Sequence, residues 1–326
     1  MSRRTGVRRL LGLVAVTGVL GLTACSGGEY AATPLPTPST STSAGGTPSP
    51  TATAAPVTCD NATQSYDPVA SLTSPEADQG TVKKIKDRGY LIAGVSADSK
   101  LLGSRNPLTG QLEGFDIDMV HAIAQALFGD PSKVQLVVIQ SGDRIPKLAN
   151  DSLDIVARNM TMTCARWQQI GFSAEYFNAG LKILVPKGST VTSLEGLAGK
   201  KVCAPDNTST MDAVKAAAGV IPVGASTHTG CLVLFQQGEV DAIAGDDTVL
   251  AGLAAQDPYA FVPQIAPLTS EPYGIGVNKD HRDLAAYINR VLVNLKADGR
   301  WTEMYNRWFS GLGPAPTPPP SVFGRT

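Results

Sequence analysis

Short apolar runs alternate with amphipathic stretches through the middle of the chain, from about residue 81 to residue 312. The short runs are rich in β-branched residues and predict strands, whereas the amphipathic stretches have a helical period and predict helices. The predicted strands are 90–95, 134–139, 154–157, 201–204 and 241–244. The predicted helices are 114–128, 145–149, 209–218, 231–237 and 247–255. This alternation predicts an α/β fold in which mostly parallel sheets are flanked by helices on both faces.

The alternation occurs twice, which predicts two lobes rather than one sheet. Segment 181–186 leads into the second series, and segment 273–277 leads back from it. A long amphipathic helix is predicted at 284–296, and an aromatic stripe with helical spacing follows it. The stripe consists of Trp301, Tyr305, Trp308 and Phe309. Because these side chains share one face of a helix, we predict that they pack against the core and do not form a sugar-stacking site.

The first 24 residues have the pattern of a secretory signal peptide, with four arginines before the apolar run 10–22. This run ends in Leu-Thr-Ala followed by Cys25, which resembles a bacterial lipobox, whose cysteine receives a diacylglycerol lipid and becomes the first mature residue. The alternatives are an ordinary signal peptide, or one transmembrane helix with an incidental cysteine. A membrane span needs roughly 20 apolar residues, and this run is shorter. We therefore expect an extracytoplasmic protein that is anchored to the cell membrane through Cys25.

Composition divides the rest of the chain into a folded body and two polar ends. Residues 25–57 are mostly Ser, Thr, Pro, Gly and Ala, which bury too little apolar surface to offset the ordering entropy and so predict a tether. A proline-rich C-terminus predicts a second unstructured tail at 313–326. Residues 58–80 are predicted to form an N-terminal extension. The predicted lobes are 81–185 with its return 273–312, and 186–272.

Charge limits the classes of partner. The full chain has a net charge of −1, and the signal peptide removes four arginines and no acidic residue. Nucleic acid is therefore not an expected partner, because phosphate binding needs clustered Lys and Arg. The histidines, His121, His228 and His281, are far apart and lie beside no cysteine pair, so no zinc site and no cofactor are expected.

Four cysteines remain once Cys25 is assigned to the lipid. An even number in an exported chain predicts two disulfides, for which three pairings exist. We favour Cys203–Cys231, which stays within one predicted lobe, and Cys59–Cys164, which would join the N-terminal extension to the body. Free buried thiols are the alternative.

An ordered series of short motifs runs through the body. It consists of Gly114–Asp118, Asp154–Ala157, Met160–Thr163 with Arg166, Phe172–Ser173, Gly238–Ala242 with Asp246 and Asp247, and Gly299–Trp301 with Tyr305, Trp308 and Phe309. The series resembles the family 3 extracellular solute-binding proteins, the polar amino-acid receptors of ABC importers. The resemblance implies a two-lobed periplasmic-binding-protein-like clamp of type II, with two hinge strands and a ligand cleft between the lobes.

A free amino acid presents a carboxylate and an ammonium group, and both need partners when water is excluded. Arg166 is the expected carboxylate ligand, since a guanidinium donates two parallel hydrogen bonds and the position matches the family's binding arginine. Thr161 matches the position that adds a hydroxyl and a backbone N–H. Asp246 matches the family's ammonium-binding acid, although it can also act as a simple helix cap. Lobe closure would bring Asp246 to a ligand already held by Arg166 and Thr161.

Further expected ligand-binding residues flank these three. They are Arg158, Asn159, Met160, Thr208, Ser209, Thr210, Asp206, Ser96 and Ser141. Arg158 lies where the family tends to have a small residue and favours an acidic or amide ligand: glutamate, glutamine, aspartate or asparagine. Alternatively, Arg158 pairs with Asp206 or points to solvent. A basic amino acid would place a further positive charge near Arg158 and Arg166, and Asp98 and Asp206 would have to compensate that charge.

The expected function is therefore the capture of a polar amino acid by a monomeric, lipid-anchored receptor that delivers it to an ABC permease. One alternative is that the same clamp reports amino-acid supply to a membrane sensor and does not supply a permease. Another is an enzyme similar to the periplasmic cyclohexadienyl dehydratases, in which Asp206 or Asp98 would act as a general acid. The sequence has no nucleophile elbow or phosphate loop, so we expect a non-enzyme.

Overall fold

The structure, a computed structural model, describes residues 57–326. The predicted signal peptide, Cys25 and the tether before residue 57 lie outside the described residues. The helices are α1 (Gly80–Arg88), α2 (Phe115–Phe128), α3 (Arg144–Ala149), α4 (Cys164–Trp167), α5 (Ser209–Ala216), α6 (His228–Gln236), α7 (Asp247–Ala254), α8 (Arg282–Ala297) and α9 (Arg300–Phe309). The strands are β1 (Leu91–Val95), β2 (Asp98–Ser99), β3 (Gly103–Arg105), β4 (Leu112–Glu113), β5 (Val134–Val138), β6 (Ile155–Val156), β7 (Ile170–Pro186), β8 (Lys201–Pro205), β9 (Ile221–Ala225), β10 (Ala242–Asp246), β11 (Ala260–Phe261) and β12 (Ser270–Asn278).

The main sheet has the strand order β5-β1-β6-β12-β7-β10-β8-β9, and β11 pairs with β7 outside this path. Strand β1 runs parallel to β5 and β6, and β8 runs parallel to β9 and β10. We call the part with β1, β5 and β6 lobe 1, together with α1–α4, α8 and α9. The part with β8–β11 and α5–α7 is lobe 2. The predicted α/β class with mostly parallel sheets flanked by helices is confirmed.

Two long antiparallel strands, β7 and β12, connect the lobes. The first part of β7, up to Gly180, pairs with β12, and its last part, from Leu181, pairs with β10. The sequence predicted only 181–186 because the earlier part, Ile170–Gly180, mixes apolar residues with Ser, Glu and Asn. Nearly all of these residues are nonetheless buried, so the alternation typical of a half-exposed strand is absent.

The predicted aromatic stripe is a packing face. Trp301, Tyr305 and Phe309 are buried and surround Phe177 of β7, with the rings of Phe177 and Phe309 centred 5.1 Å apart. Phe115, at the start of α2, completes the cluster, 5.1 Å from the ring of Phe309. The stripe therefore fixes α9 against the strand that passes into lobe 2.

The prediction of an unstructured tail at 313–326 is wrong. Val322 forms a β-bridge with Gln64, and its carbonyl accepts a hydrogen bond of 2.8 Å from the backbone N–H of Ser65. Lys296 donates to the carbonyl of Pro319 and to the hydroxyl of Ser321. Composition alone misses this, because the partners that hold the tail, at residues 64 and 65 and at Lys296, come from other parts of the chain.

Both favoured disulfides are confirmed. Cys59–Cys164 joins the N-terminal extension to α4, and Cys203–Cys231 joins β8 to α6 within lobe 2. Among the helices at 57–326, none is both long and apolar enough to cross a membrane.

The aromatic cluster generates a stability prediction. Phe115→Ala should lower the free energy of unfolding by about 3–5 kcal/mol, because it leaves a cavity in a close-packed core. Urea denaturation measures this change. Leu108→Ala is the control, since the Leu108 side chain is 93% exposed and its loss should change stability by about 0.5 kcal/mol or less. Equal effects of the two changes would contradict the assignment of Phe115 to the core.

Candidate functional site

A small polar cavity lies between the two lobes, in front of the crossing strands. Its volume is about 10 Å³, which is about the space of one water molecule. Both lobes contribute to its wall, so that any larger ligand requires the lobes to separate. The lining residues are Ser141, Arg144, Asn159, Thr161, Arg166, Thr208, Ser209, Thr210, His228 and Asp246.

Lobe 1 has three buried arginines at the cavity, two of them in its wall and one, Arg158, behind it. Arg166 lies on α4 and donates to the carbonyl oxygen of Thr161 at 2.6 Å. Arg144 opens α3 and donates to the carbonyl of Ser141 at 2.9 Å, and Arg158 donates to the hydroxyl of Ser141 at 2.7 Å. Burial lowers the pKa of all three guanidinium groups. Within residues 57–326, none of the three forms an ion pair, so their charges are held only by neutral oxygens and by more distant carboxylates.

Lobe 2 contributes Asp246, the last residue of β10. One carboxylate oxygen, Oδ2, accepts a hydrogen bond of 2.6 Å from the Tyr273 hydroxyl, while Oδ1 is buried and has no partner in the described chain. Burial raises the pKa of Asp246 to about 7, helped by the nearby Glu271 and Asp247 and opposed by Tyr273 and Arg144. Asp246 precedes α7 but its side chain makes no capping hydrogen bond. The free oxygen therefore faces the cavity as an acceptor.

His228 is the second polar group from lobe 2. It is the first residue of α6, which begins where Thr227 accepts a hydrogen bond from the backbone N–H of Gly230. Its Nε2 atom is buried and has no partner in the described part of the chain. Burial and the nearby Arg158 and Arg144 lower the pKa of His228 to about 4, so the ring is neutral near pH 7.

Unpaired polar atoms are concentrated in this cavity. Five buried side-chain atoms of the described residues have no hydrogen-bond partner, and three of them belong to Asn159, His228 and Asp246. Asn159 has a positive φ of 37°, and its backbone N–H donates to the carboxylate of Asp116 at 2.9 Å. An unpaired buried polar group costs about 1–3 kcal/mol. The concentration of such groups at one place therefore indicates a binding site.

The lobes also touch directly at the cavity. Glu271 of β12 accepts a hydrogen bond of 2.7 Å from Thr161 of lobe 1 and one of 3.2 Å from Ser209 of lobe 2, both at Oε2. At the rim, the hydroxyl of Thr229 in lobe 2 donates to the carbonyl of Asp98 in lobe 1 at 3.0 Å. These contacts form only when the lobes are together, so they belong to the closed arrangement.

Helix α5 presents its N-terminus to the cavity. The Thr208 hydroxyl accepts a hydrogen bond from the backbone N–H of Met211 and donates to the carbonyl of Pro205, so it acts as the helix cap. Ser209 and Thr210 follow it in the cavity wall. The predicted serine and threonine positions of this helix are thus brought beside Arg166.

Four predicted residues lie outside the lining. Arg158 stands behind Ser141 and neither pairs with Asp206 nor points to solvent. Met160 is buried in an apolar cluster with Met162 and leaves only its backbone near the site. Asp206 is exposed, and its carboxylate lies against Gly224. Ser96 hydrogen-bonds with Asp98 and Ser99 instead.

Sequence reasoning missed Arg144, His228 and Glu271. The predicted helices at 145–149 and 231–237 began one and three residues too late, which left Arg144 and His228 out of the predicted site. The capping threonine, Thr227, was the available signal for the earlier start of α6. No local signal marks Glu271, because only the pairing of β12 with β7 brings it to the cavity. Within residues 57–326, no cluster of His, Cys, Asp and Glu could hold a metal ion.

Comparison with known proteins identifies the family. Residues 91–311 match the model of the bacterial extracellular solute-binding proteins, family 3. The chain belongs to this family. It is therefore an extracytoplasmic solute-binding protein rather than an enzyme, and the resemblance carried by the sequence motifs is confirmed.

Two curated relatives illustrate the family. The ABC transporter glutamine-binding protein GlnH of Bacillus subtilis is 37% identical over 238 residues, which cover 72% of this chain and 86% of that protein. The L-glutamate/L-aspartate-binding protein of Pseudomonas aeruginosa is 27% identical over 252 residues, which cover 74% of this chain and 82% of that protein.

Solved structures support the periplasmic-binding-protein-like fold. A mutant of the arginine-binding protein ArgBP of T. maritima superposes with a TM-score of 0.66 at 32% identity, covering 70% of this chain and 99% of that one. The solute receptor for L-cysteine of Neisseria gonorrhoeae gives a TM-score of 0.67 at 25% identity, covering 71% and 94%.

The buried Asp246 generates a prediction about pH. Its folded pKa lies above its unfolded value, so the native state binds more protons and the free energy of unfolding falls as pH rises from about 4 to about 7. Asp246→Asn removes this contribution. Relative to wild type, the variant should gain stability at pH 8 and not at pH 4, as measured by urea denaturation at both values without ligand. A stability difference that does not change with pH would contradict the raised pKa.

Proposed function

We propose that this protein captures an amino acid with an acidic side chain, glutamate or aspartate, between its lobes and delivers it to an ABC permease. The single observation that carries the choice of ligand is the set of three buried arginines without an ion-pair partner among residues 57–326. The relatives named for glutamine and for glutamate and aspartate support the same group of polar amino acids.

The α-carboxylate of the ligand would be bound by Arg166. This guanidinium is fixed on one side by the Thr161 carbonyl, which leaves its other N–H groups for a carboxylate. The N-terminus of α5, with Ser209 and Thr210, faces the same position and adds donors. Binding an anion here compensates a buried cation, which is favourable because an unpaired buried charge costs several kcal/mol.

The α-ammonium group would be bound by Asp246. Its unpaired Oδ1 and the unpaired Oδ1 of Asn159 are acceptors from opposite lobes. An ammonium group has three N–H donors and no acceptor, so it can satisfy both oxygens at once. It would also favour the ionised form of Asp246, whose pKa is raised in the structure.

The ligand side chain would be recognised by Arg144 and its neighbours. Arg144 lines the cavity, and Arg158 adds positive charge behind Ser141. These two positive charges disfavour the binding of a ligand with a lysine or arginine side chain, and they favour a side-chain carboxylate over an amide. The neutral His228 ring offers one more hydrogen-bonding atom, Nε2, from lobe 2. Charge at this end of the cavity therefore distinguishes glutamate and aspartate from glutamine.

Closure of the lobes would complete the site. One lobe, residues 81–185 with 273–312, would move against the other, residues 186–272. The motion would occur about β7 and β12, because these strands are the segments that cross between the lobes. The open form admits the ligand to Arg166, and the closed form adds Asp246 and His228. Since the ligand contacts both lobes only in the closed form, its binding shifts the population toward closure. Attachment to the membrane by a lipid at Cys25 would keep the receptor near its permease.

A thermal-shift screen against the twenty amino acids tests the ligand class. Glutamate and aspartate should give the largest increases in Tm, with stability rising by about 4 kcal/mol at a thousandfold excess over Kd. Glutamine and asparagine should give smaller shifts, and lysine and arginine none. Calorimetry on each hit supplies Kd. A shift confined to glutamine or to basic amino acids would refute the acidic preference, and no shift with any amino acid would refute amino-acid capture.

Substitution of Arg166 tests the site. Arg166→Ala should weaken glutamate binding by roughly a hundredfold or more, because one partner of a buried charged contact is lost. The thermal unfolding of the free variant should remain cooperative, since no carboxylate of residues 57–326 depends on this guanidinium as an ion-pair partner. Arg307→Ala is the matched control, because that side chain is 62% exposed and pairs with Asp118 away from the cavity. Normal binding by Arg166→Ala would show that the carboxylate lies elsewhere.

A further inference from the structure

The two ends of the described chain meet each other on lobe 1. Segment 57–79 and segment 313–326 are joined by the bridge between Gln64 and Val322, and by the backbone N–H of Arg325 donating to the Ser65 carbonyl at 2.9 Å. We call these two segments together the terminal clasp. Both segments lie outside residues 91–311, which match the family. The clasp is thus an addition to the part that carries the cleft.

The terminal clasp holds one element of the site, helix α4. The disulfide Cys59–Cys164 fixes the first residue of α4 to the N-terminal segment. The indole Nε1 of Trp167, the last residue of α4, donates to the Ala62 carbonyl at 2.6 Å. The guanidinium of Arg325 lies over the Trp167 ring, 3.8 Å from its centroid. The helix is therefore attached to the clasp at both of its ends.

Helix α4 has little stability of its own. It contains four residues, and helices this short do not persist without tertiary contacts. Its internal support is one cap, the Thr163 hydroxyl accepting from the backbone N–H of Arg166 at 3.3 Å, and one backbone hydrogen bond, from the N–H of Trp167 to the Thr163 carbonyl at 3.0 Å. Arg166 lies between the two attached ends, Cys164 and Trp167. The position of its guanidinium in the cavity therefore depends on where the clasp places α4.

We propose that the terminal clasp positions Arg166 for the ligand carboxylate, with Arg325 and the Cys59–Cys164 disulfide as the positioning contacts. The inference rests on the proposed function, because it takes the ligand to be an acidic amino acid bound by Arg166. A clasp that only stabilised lobe 1 would raise Tm without affecting affinity. A positioning clasp affects affinity through Arg166, and this difference can be measured.

The test compares two pairs of variants. Arg325→Ala removes the contact over Trp167 and the hydrogen bonds from this guanidinium to the carbonyls of Gln64 and Asn61. Its matched control is Arg88→Ala, which removes a cation–π contact over Tyr90 at 5.0 Å and an ion pair with Asp154, on lobe 1 away from α4. Glutamate affinity is measured by calorimetry and stability by thermal unfolding. Arg325→Ala should weaken glutamate binding roughly tenfold, the order of coupling between residues of one network. Arg88→Ala should leave Kd unchanged even where it lowers Tm.

The disulfide provides an independent pair. Cys59→Ser with Cys164→Ser should weaken binding to a similar extent, whereas Cys203→Ser with Cys231→Ser removes a bridge inside lobe 2 that does not touch α4. If one of these variants does not fold, the Arg325 pair still decides the question. Unchanged affinity in Arg325→Ala or in the Cys59/Cys164 variant would overturn the proposal.

A double-mutant cycle identifies the route of the effect. Arg325→Ala is also made in an Arg166→Lys background, where the planar guanidinium fork is absent. If the clasp acts through Arg166, the effect of Arg325→Ala on Kd should largely disappear in that background. An undiminished tenfold effect would show a route that does not involve Arg166. Failure of the wild-type protein to bind any amino acid would refute the proposed function instead, so the two failures are distinguishable.

Discussion

Buried positive charge is the constraint on which the rest of the site depends. Arg144, Arg158 and Arg166 are each at most 7% exposed, and within residues 57–326 none has an ion-pair partner. Removing such groups from water costs several kcal/mol per ion after relaxation. The neutral oxygens of Ser141 and Thr161 recover part of this cost. A ligand carboxylate can recover the remainder, which explains why charges that would destabilise an ordinary core are suited to a receptor.

The crossing strands explain how such a site can be both buried and accessible. Strand β7 belongs to both lobes, and β12 carries Glu271 to the place where Thr161 and Ser209 meet. The cluster around Phe177 fixes the lobe 1 part of β7, so the connection between the lobes begins from a rigid base. The closed arrangement then brings acceptors and donors from both sides to one small volume. In an open form water would hydrate the same groups, so the desolvation cost would not arise there.

Much of the fold could be predicted because it rests on local patterns. The alternation of apolar runs and amphipathic stretches predicted ten elements of the body near their observed positions. The even number of cysteines that remain after Cys25 favoured two disulfides. Strand Ile170–Gly180 escaped prediction because burial on both faces removes the alternating signal. The tail at 313–326 was mispredicted because its order comes from pairing with residues 64 and 65, far away in the chain.

The family and the α/β class follow from the sequence alone, since motif order and hydrophobic period are properties of neighbouring residues. The sequence also predicted Arg166, Thr161 and Asp246. The tertiary structure was needed to show that Arg144 and His228 join them in the cavity wall, whereas Arg158 lies behind it. Which side chains converge depends on where the ends of separate strands and helices meet across the lobes. That information lies in long-range packing and cannot be obtained from any local window of the chain.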